Sequence, residues 1–198
     1  MPIQFSPKAP KTATKVISDH LGDTPNYFVT EAVRSASAGG ATPPQISLSQ
    51  GWQEYAVGLE DLAKGKLLAA AKPGHWRYLV MLGNQPTAEM VLAQESAGER
   101  VIASHRGEVM VGMAKGLKVA ADLKETADQP YEVRFLLVPA LYFTALWLHG
   151  AHGVDWLMPI EPDPSPLPNY KPHTEAQVIE ALKGRVKAAQ AFGTKAAK

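Results

Sequence analysis

The stretch YEVRFLLVPALYFTALWL, residues 131–148, decides how the rest of the chain is read. Its apolar core, Phe135 to Leu148, is the longest strongly apolar run in the sequence, yet its 14 residues fall short of the roughly 20 that a spanning helix needs. Pro139 interrupts it, Thr144 sits inside it and Arg134 precedes it. We therefore read two strands, 131–138 and 141–148, joined at Pro139-Ala140. In the second, Leu141, Phe143, Ala145 and Trp147 alternate with Tyr142, Thr144, Leu146 and Leu148. Both faces are largely apolar, the mark of an interior strand covered on two sides.

HGAHGVD (149–155) follows directly. His149, His152 and Asp155 are the candidate metal ligands, because two imidazoles and a carboxylate suit zinc or another first-row metal. Helical spacing would align all three, but Gly150 and Gly153 and the flanking strands favour a hairpin. In a hairpin, His149 and Asp155 face each other across the ladder and His152 sits at the tip. The plainer reading is a glycine-rich turn that happens to carry histidines.

VDWLMPI (154–160) reads as a strand pairing back on 141–148, with Pro159 marking an edge or an end. EPDPSPLPNYKPH (161–173) contains five prolines, so it should run extended across the surface. Such a segment could also dock in a partner's aromatic groove. Thr174 with Gln177 fits a capping box for a last helix, whose stripe is Val178, Ile179, Leu182, Val186, Ala189 and Phe192.

Upstream, residues 107–123 carry a helical stripe of Val109, Met110, Met113, Leu117 and Ala120. The methionine pair reads as core. Before it lie three strand-like segments, 76–82, 87–94 and 100–104, which suggest an antiparallel meander. Trp76, Tyr78, Val80 and Leu82 share one face of the first, Arg77, Leu79 and Met81 the other. The turn GNQP (83–86) looks longer than the tight two-residue type. From Leu48 to Ala71 the spacing of Trp52, Tyr55, Ala56, Leu59, Leu62 and Ala63 predicts a helix, weakened by Gly58 and Gly65. Ser49 then reads as its N-cap. Residues 1–45 read as an irregular arm and linker, with a short helix around Val16, Ile17 and Leu21 and an apolar knot at Tyr27, Phe28 and Val29.

These readings predict one α+β domain over 46–198, an antiparallel sheet of five to six strands with helices packed on it, in the order helix, three strands, helix, two or three strands, helix. The 198 residues hold 45% hydrophobic side chains, sufficient for a core, and a net charge of +1 without a basic stripe, which speaks against nucleic acid. No cysteine is present, so disulfides, thiolate metal sites and cysteine nucleophiles are excluded. Nothing at the N-terminus resembles an apolar signal core, and the expected setting is cytoplasmic, away from a membrane.

No phosphate-binding loop, dinucleotide fingerprint or nucleophile elbow is present. GLEDLAKGKL (58–67) has six residues between its glycines and Leu67 after the lysine, which rules out a P-loop. His75 and His105 read as turn residues and Glu60-Asp61 as a solvated pair. The expectation is a non-enzymatic binding or protein-interaction module, self-association included, with no cofactor. A metal-dependent hydrolase using His149, His152 and Asp155 is one alternative. A small-molecule binder with a pocket lined by Trp76, Tyr142 or Trp147 is the other.

Overall fold

The computed structural model describes residues 3–23, 26–38, 42, 45–124 and 129–196. They form a nine-stranded mixed sheet and five α-helices. The sheet is larger than the five to six antiparallel strands expected, and two of its pairings are parallel. Its main path runs β6 (Gly98–His105), β5 (Gln85–Glu95), β4 (Lys72–Leu82), β3 (Trp52–Ala56), β7 (Tyr131–Val138), β8 (Phe143–Gly150) and β9 (Asp155–Pro159).

The meander is β4 (Lys72–Leu82), β5 (Gln85–Glu95) and β6 (Gly98–His105), all antiparallel. The β4–β5 loop holds only Gly83 and Asn84, tighter than the sequence suggested. Gly83 takes φ +59°, which a two-residue hairpin with glycine first accommodates. β7 (Tyr131–Val138) and β8 (Phe143–Gly150) form the central antiparallel pair, and β9 (Asp155–Pro159) closes that side.

The largest departure lies in 48–71, where the helical reading fails. That stretch contains the end of β2 (Ile46–Leu48), then β3 (Trp52–Ala56) and only a five-residue helix, α3 (Leu59–Ala63). β3 fills the slot between β4, antiparallel, and β7, parallel. A slot with backbone hydrogen-bonding groups on both sides overrides an ambiguous periodicity. Gly51 was the available signal, because a Cβ there would lie 2.5 Å from the Tyr78 ring. Ser49 caps no helix. Its hydroxyl accepts the Leu79 amide at 2.8 Å and so ties the β2–β3 link to β4.

Within the 1–45 arm the structure is more regular than expected. β1 (Ile3–Gln4) runs parallel to β7, and α1 (Ala13–Asp23) and α2 (Tyr27–Ala36) cover the meander. Asn26 caps α2 by accepting from the amides of Phe28 and Val29. Ile17 and Val29 pack there on Trp76, Tyr78, Val80 and Met90.

α4 (Glu108–Ala121) is the crossover that returns the chain from β6 to β7 over the opposite face. Met110 and Met113 are buried against Leu146, Met158 and Ile160. α5 (Glu175–Ala196) packs Val178, Leu182 and Val186 on Leu136, Phe143 and Leu157, on the same side as α1 and α2. Its capping box is formed: the Thr174 amide donates to Gln177 Oε1 at 2.8 Å and the Gln177 amide to Thr174 Oγ1 at 3.3 Å.

The proline-rich segment is a strap rather than a free crossing. Tyr170 N–H donates to the Pro159 carbonyl at 2.8 Å, and Leu157 and His173 exchange both backbone bonds. Tyr170 is buried, its hydroxyl donates to Glu161 Oε2 at 3.0 Å, and the Lys115 ammonium of α4 lies 4.2 Å from its ring centre. Glu161 is thereby held against α4, where Gly112 leaves room for its backbone.

Candidate functional site

The first turn of α4 sits over the β3–β4–β5–β7 floor and leaves part of it uncovered. The floor side chains follow from strand parity. Arg77 and Leu79 point to the α4 face of β4, and Leu79 stands opposite Glu89 on β5. Trp52 is opposite Arg77, and Glu54 is opposite Phe135. A guanidinium and two carboxylates thus converge on an otherwise apolar face.

Arg77 Nε lies 2.7 Å and Nη2 2.6 Å from Glu54 Oε2, while Nη1 donates to Glu89 Oε2 at 2.6 Å. The three side chains are 13%, 14% and 3% exposed, so this is a buried ion cluster. The guanidinium stacks 5.0 Å from the Phe135 ring centre. Burial raises the Glu89 carboxyl above its ordinary value, against the opposing pull of Arg77 and of His105, its cross-strand neighbour. Desolvation dominates because a carboxylate at this depth has lost its water.

Two hollows open here. One, of about 430 Å³, lies over Arg77, Glu89 and Phe135, with His105, Arg106 and the start of α4 on its rim. The other, of about 740 Å³, is lined chiefly by apolar groups, among them Pro139, Tyr142, Phe143 and Pro164. Val109, Leu137, Thr144 and Pro162 line both, so the hollows are two lobes of one cleft. α4, the sheet and the strap form its walls. Tyr142 stands at the mouth, 82% exposed and at φ +50°, a left-handed conformation uncommon for a bulky residue.

Of the three aromatic residues expected to line a pocket, Tyr142 lines this cleft. It lies in a turn after Pro139–Leu141 rather than in the strand assigned to it. Trp76 is buried under α1 and α2, and Trp147 lies in the cluster that α5 covers. Met110 and His105, read from sequence as core and turn residues, join the rim, as does Glu108, which the sequence did not single out.

His149 and Asp155 lie on the side of the sheet that α5 covers, away from this cleft. β8 and β9 place His149 directly opposite Asp155, and Nδ1 comes within 2.7 Å of Oδ1. His152 is exposed in the turn between the strands and joins neither. Among the described residues, no three His, Cys, Asp or Glu side chains gather as a metal site requires. His149 instead continues an aromatic stack: Trp147 lies 5.6 Å from it and 5.1 Å from Tyr55, centre to centre. Arg134 sits over both Tyr55 and Trp147. The pair therefore does what a cross-strand polar pair does, fixing the register of an edge hairpin.

The signal for the cleft was present but diffuse. Arg77 is the charged residue in WRYLVML (76–82), and Glu89 is its counterpart in TAEMVLAQ. Two charged inward positions on neighbouring strands imply a pair once the register is known. Gly112 and Gly116, four apart on α4, mark where another chain segment comes close. No helix among the described residues is long and apolar enough to cross a membrane. Comparison of the chain with protein-family models, with curated proteins and with solved structures found no match.

Proposed function

We propose that the protein is a non-enzymatic binding module whose ligand is a small amphipathic molecule held in the cleft between α4, the sheet and the strap. One observation carries this reading: a polar lobe and an apolar lobe share the walls Val109, Leu137, Thr144 and Pro162. Each lobe falls within the size usual for small-molecule sites, roughly 300–1,000 Å³, with few polar groups in a mainly apolar lining. The polar groups are well suited to orient a ligand. Arg77 is held in place by two carboxylates, and Thr144, one of the shared walls, carries a hydroxyl that donates to the Ile160 carbonyl at 3.5 Å.

A partner that binds the proline-rich segment as an extended peptide has a cost to meet. Tyr170 would first have to give up its bond to the Pro159 carbonyl, and His173 its pair of bonds with Leu157. A metal-dependent reading rests on His149 and Asp155 alone, which is fewer ligands than such centres use.

The test is calorimetric titration of the full chain with octanol, and of a Leu137→Trp variant whose larger ring fills the shared wall. Octanol is expected to bind the wild type and to lose most of its affinity in the variant. Equal affinity for both proteins, or no binding to either, overturns the proposal.

A further inference from the structure

We infer that the cleft selects a cationic head group, a primary amine or ammonium set against Glu89, with the ligand's apolar body in the lobe that reaches Tyr142. This rests on the binding reading above and specifies the ligand's chemistry. Glu89 is 2% exposed and lines the polar lobe. Its Oε2 is taken by Arg77 Nη1, whereas Oε1 has no hydrogen-bond partner among the described residues. That oxygen can accept from a ligand without breaking any bond of the fold. Arg77 is placed otherwise: its charge is already matched by two carboxylates, and one face of it is covered by Phe135.

The surrounding charge leans the same way. With the mutually paired Lys115 and Glu161 set aside, the lining carboxylates Glu89, Glu108 and Asp163, with Glu54 on Arg77, stand against the cations Arg77 and Arg106 and the rim imidazole of His105. The first turn of α4 also opens on the polar lobe, and Gly107 gives it no side-chain cap. A helix N-terminus carries the equivalent of about half a positive charge, which favours an anion but does not offset the carboxylate excess. A cation entering the lobe meets a partly desolvated acceptor, where a charge-assisted bond counts for more than at the surface.

The experiment compares three probes with the same alkyl tail, octylamine, octanol and octanoate, on the full wild-type chain by calorimetry below their micelle concentrations. Octylamine is expected to bind about tenfold or more tightly than octanol, the ratio that a hydrogen bond to a charged group supplies. Octanoate is expected to bind weakest. Glu89→Gln, which keeps the shape and one acceptor, should abolish the preference for octylamine over octanol, and a preference retained in a folded variant overturns the head-group assignment. Octanoate equal to or tighter than octylamine overturns the head-group assignment and leaves the binding module standing. Failure of all three probes overturns both. The wild-type ranking stands on its own even where the variant does not fold.

Discussion

Gly112→Ala separates the account of this fold from a generic helical one. In an exposed helix interior, replacing glycine by alanine stabilises by about 1 kcal/mol. Gly184 on α5 is such a site, since a Cβ there meets nothing within 4 Å. At Gly112 the new methyl would land on the Glu161 carbonyl oxygen, with the carbonyl carbon and amide nitrogen at 3.1 and 3.2 Å. These are backbone atoms. They yield only if the strap moves off α4, against the Lys115–Glu161 contact and the Tyr170 anchor. Overpacking of this kind costs about 1–3 kcal/mol, which cancels or exceeds the helix gain. Urea unfolding should therefore place Gly112→Ala about 1–3 kcal/mol below Gly184→Ala at equal m-values. Pro162, next to Glu161, lines both lobes, so octanol affinity should fall with it. If the two variants are equally stabilised and octanol binds both like wild type, the strap does not close the cleft and the reasoning fails.

Other consequences follow from the ion cluster and the hairpin. Arg77→Met leaves Glu54 and Glu89 buried without their cation and is expected to cost about 3–5 kcal/mol in denaturant unfolding, partly recovered when combined with Glu89→Gln. The Glu89 carboxyl is raised in the folded state, so between its ordinary value of 4.5 and its folded value the native protein holds a proton that the unfolded chain has lost. Stability should fall as pH rises through that window, and Glu89→Gln should flatten the fall in unfolding curves taken across it. His149→Ala should cost at most about 1 kcal/mol, because the pair with Asp155 is partly exposed, and His152→Ala should cost less still. Zinc titration monitored by calorimetry should give the same weak response for wild type and for His152→Ala; a tight site lost on that substitution would restore the metal reading.

The meander, the 131–148 pair and the last helix were legible because local pattern and tertiary demand agree there. Trp76, Tyr78 and Val80 alternate in sequence and are buried together on one face. Thr174 and Gln177 cap as their spacing implies. The histidine hairpin was legible too, since two glycines and two apolar flanks leave a turn little freedom. β3 was not, because Trp52, Tyr55, Ala56 and Leu59 fit a helical face equally well, and only the neighbours β4 and β7 decide between the two. The extra strands β1 and β2 are two and three residues long, below the length at which alternation carries information. The cleft lay further out of reach. Its polar floor joins residues from three strands whose register sequence does not give, and its outer wall is a strap whose prolines alone suggest an extended surface run. Tyr142 shows the same limit locally: alternation assigned it to a strand, whereas Pro139 starts a turn that lifts it to the mouth of the cleft.

The most direct test of a single two-lobed ligand site is a methyl-resolved NMR titration of the full chain with octanol. Val109, Leu137 and Thr144 carry methyl groups on walls common to both lobes. Their signals should shift together and saturate at one ligand per chain, while the methyls of Val80, buried under α1 and α2, stay in place. Unmoved Val109, Leu137 and Thr144 at octanol saturation, or shifts spread evenly over both faces of the sheet, would contradict the account.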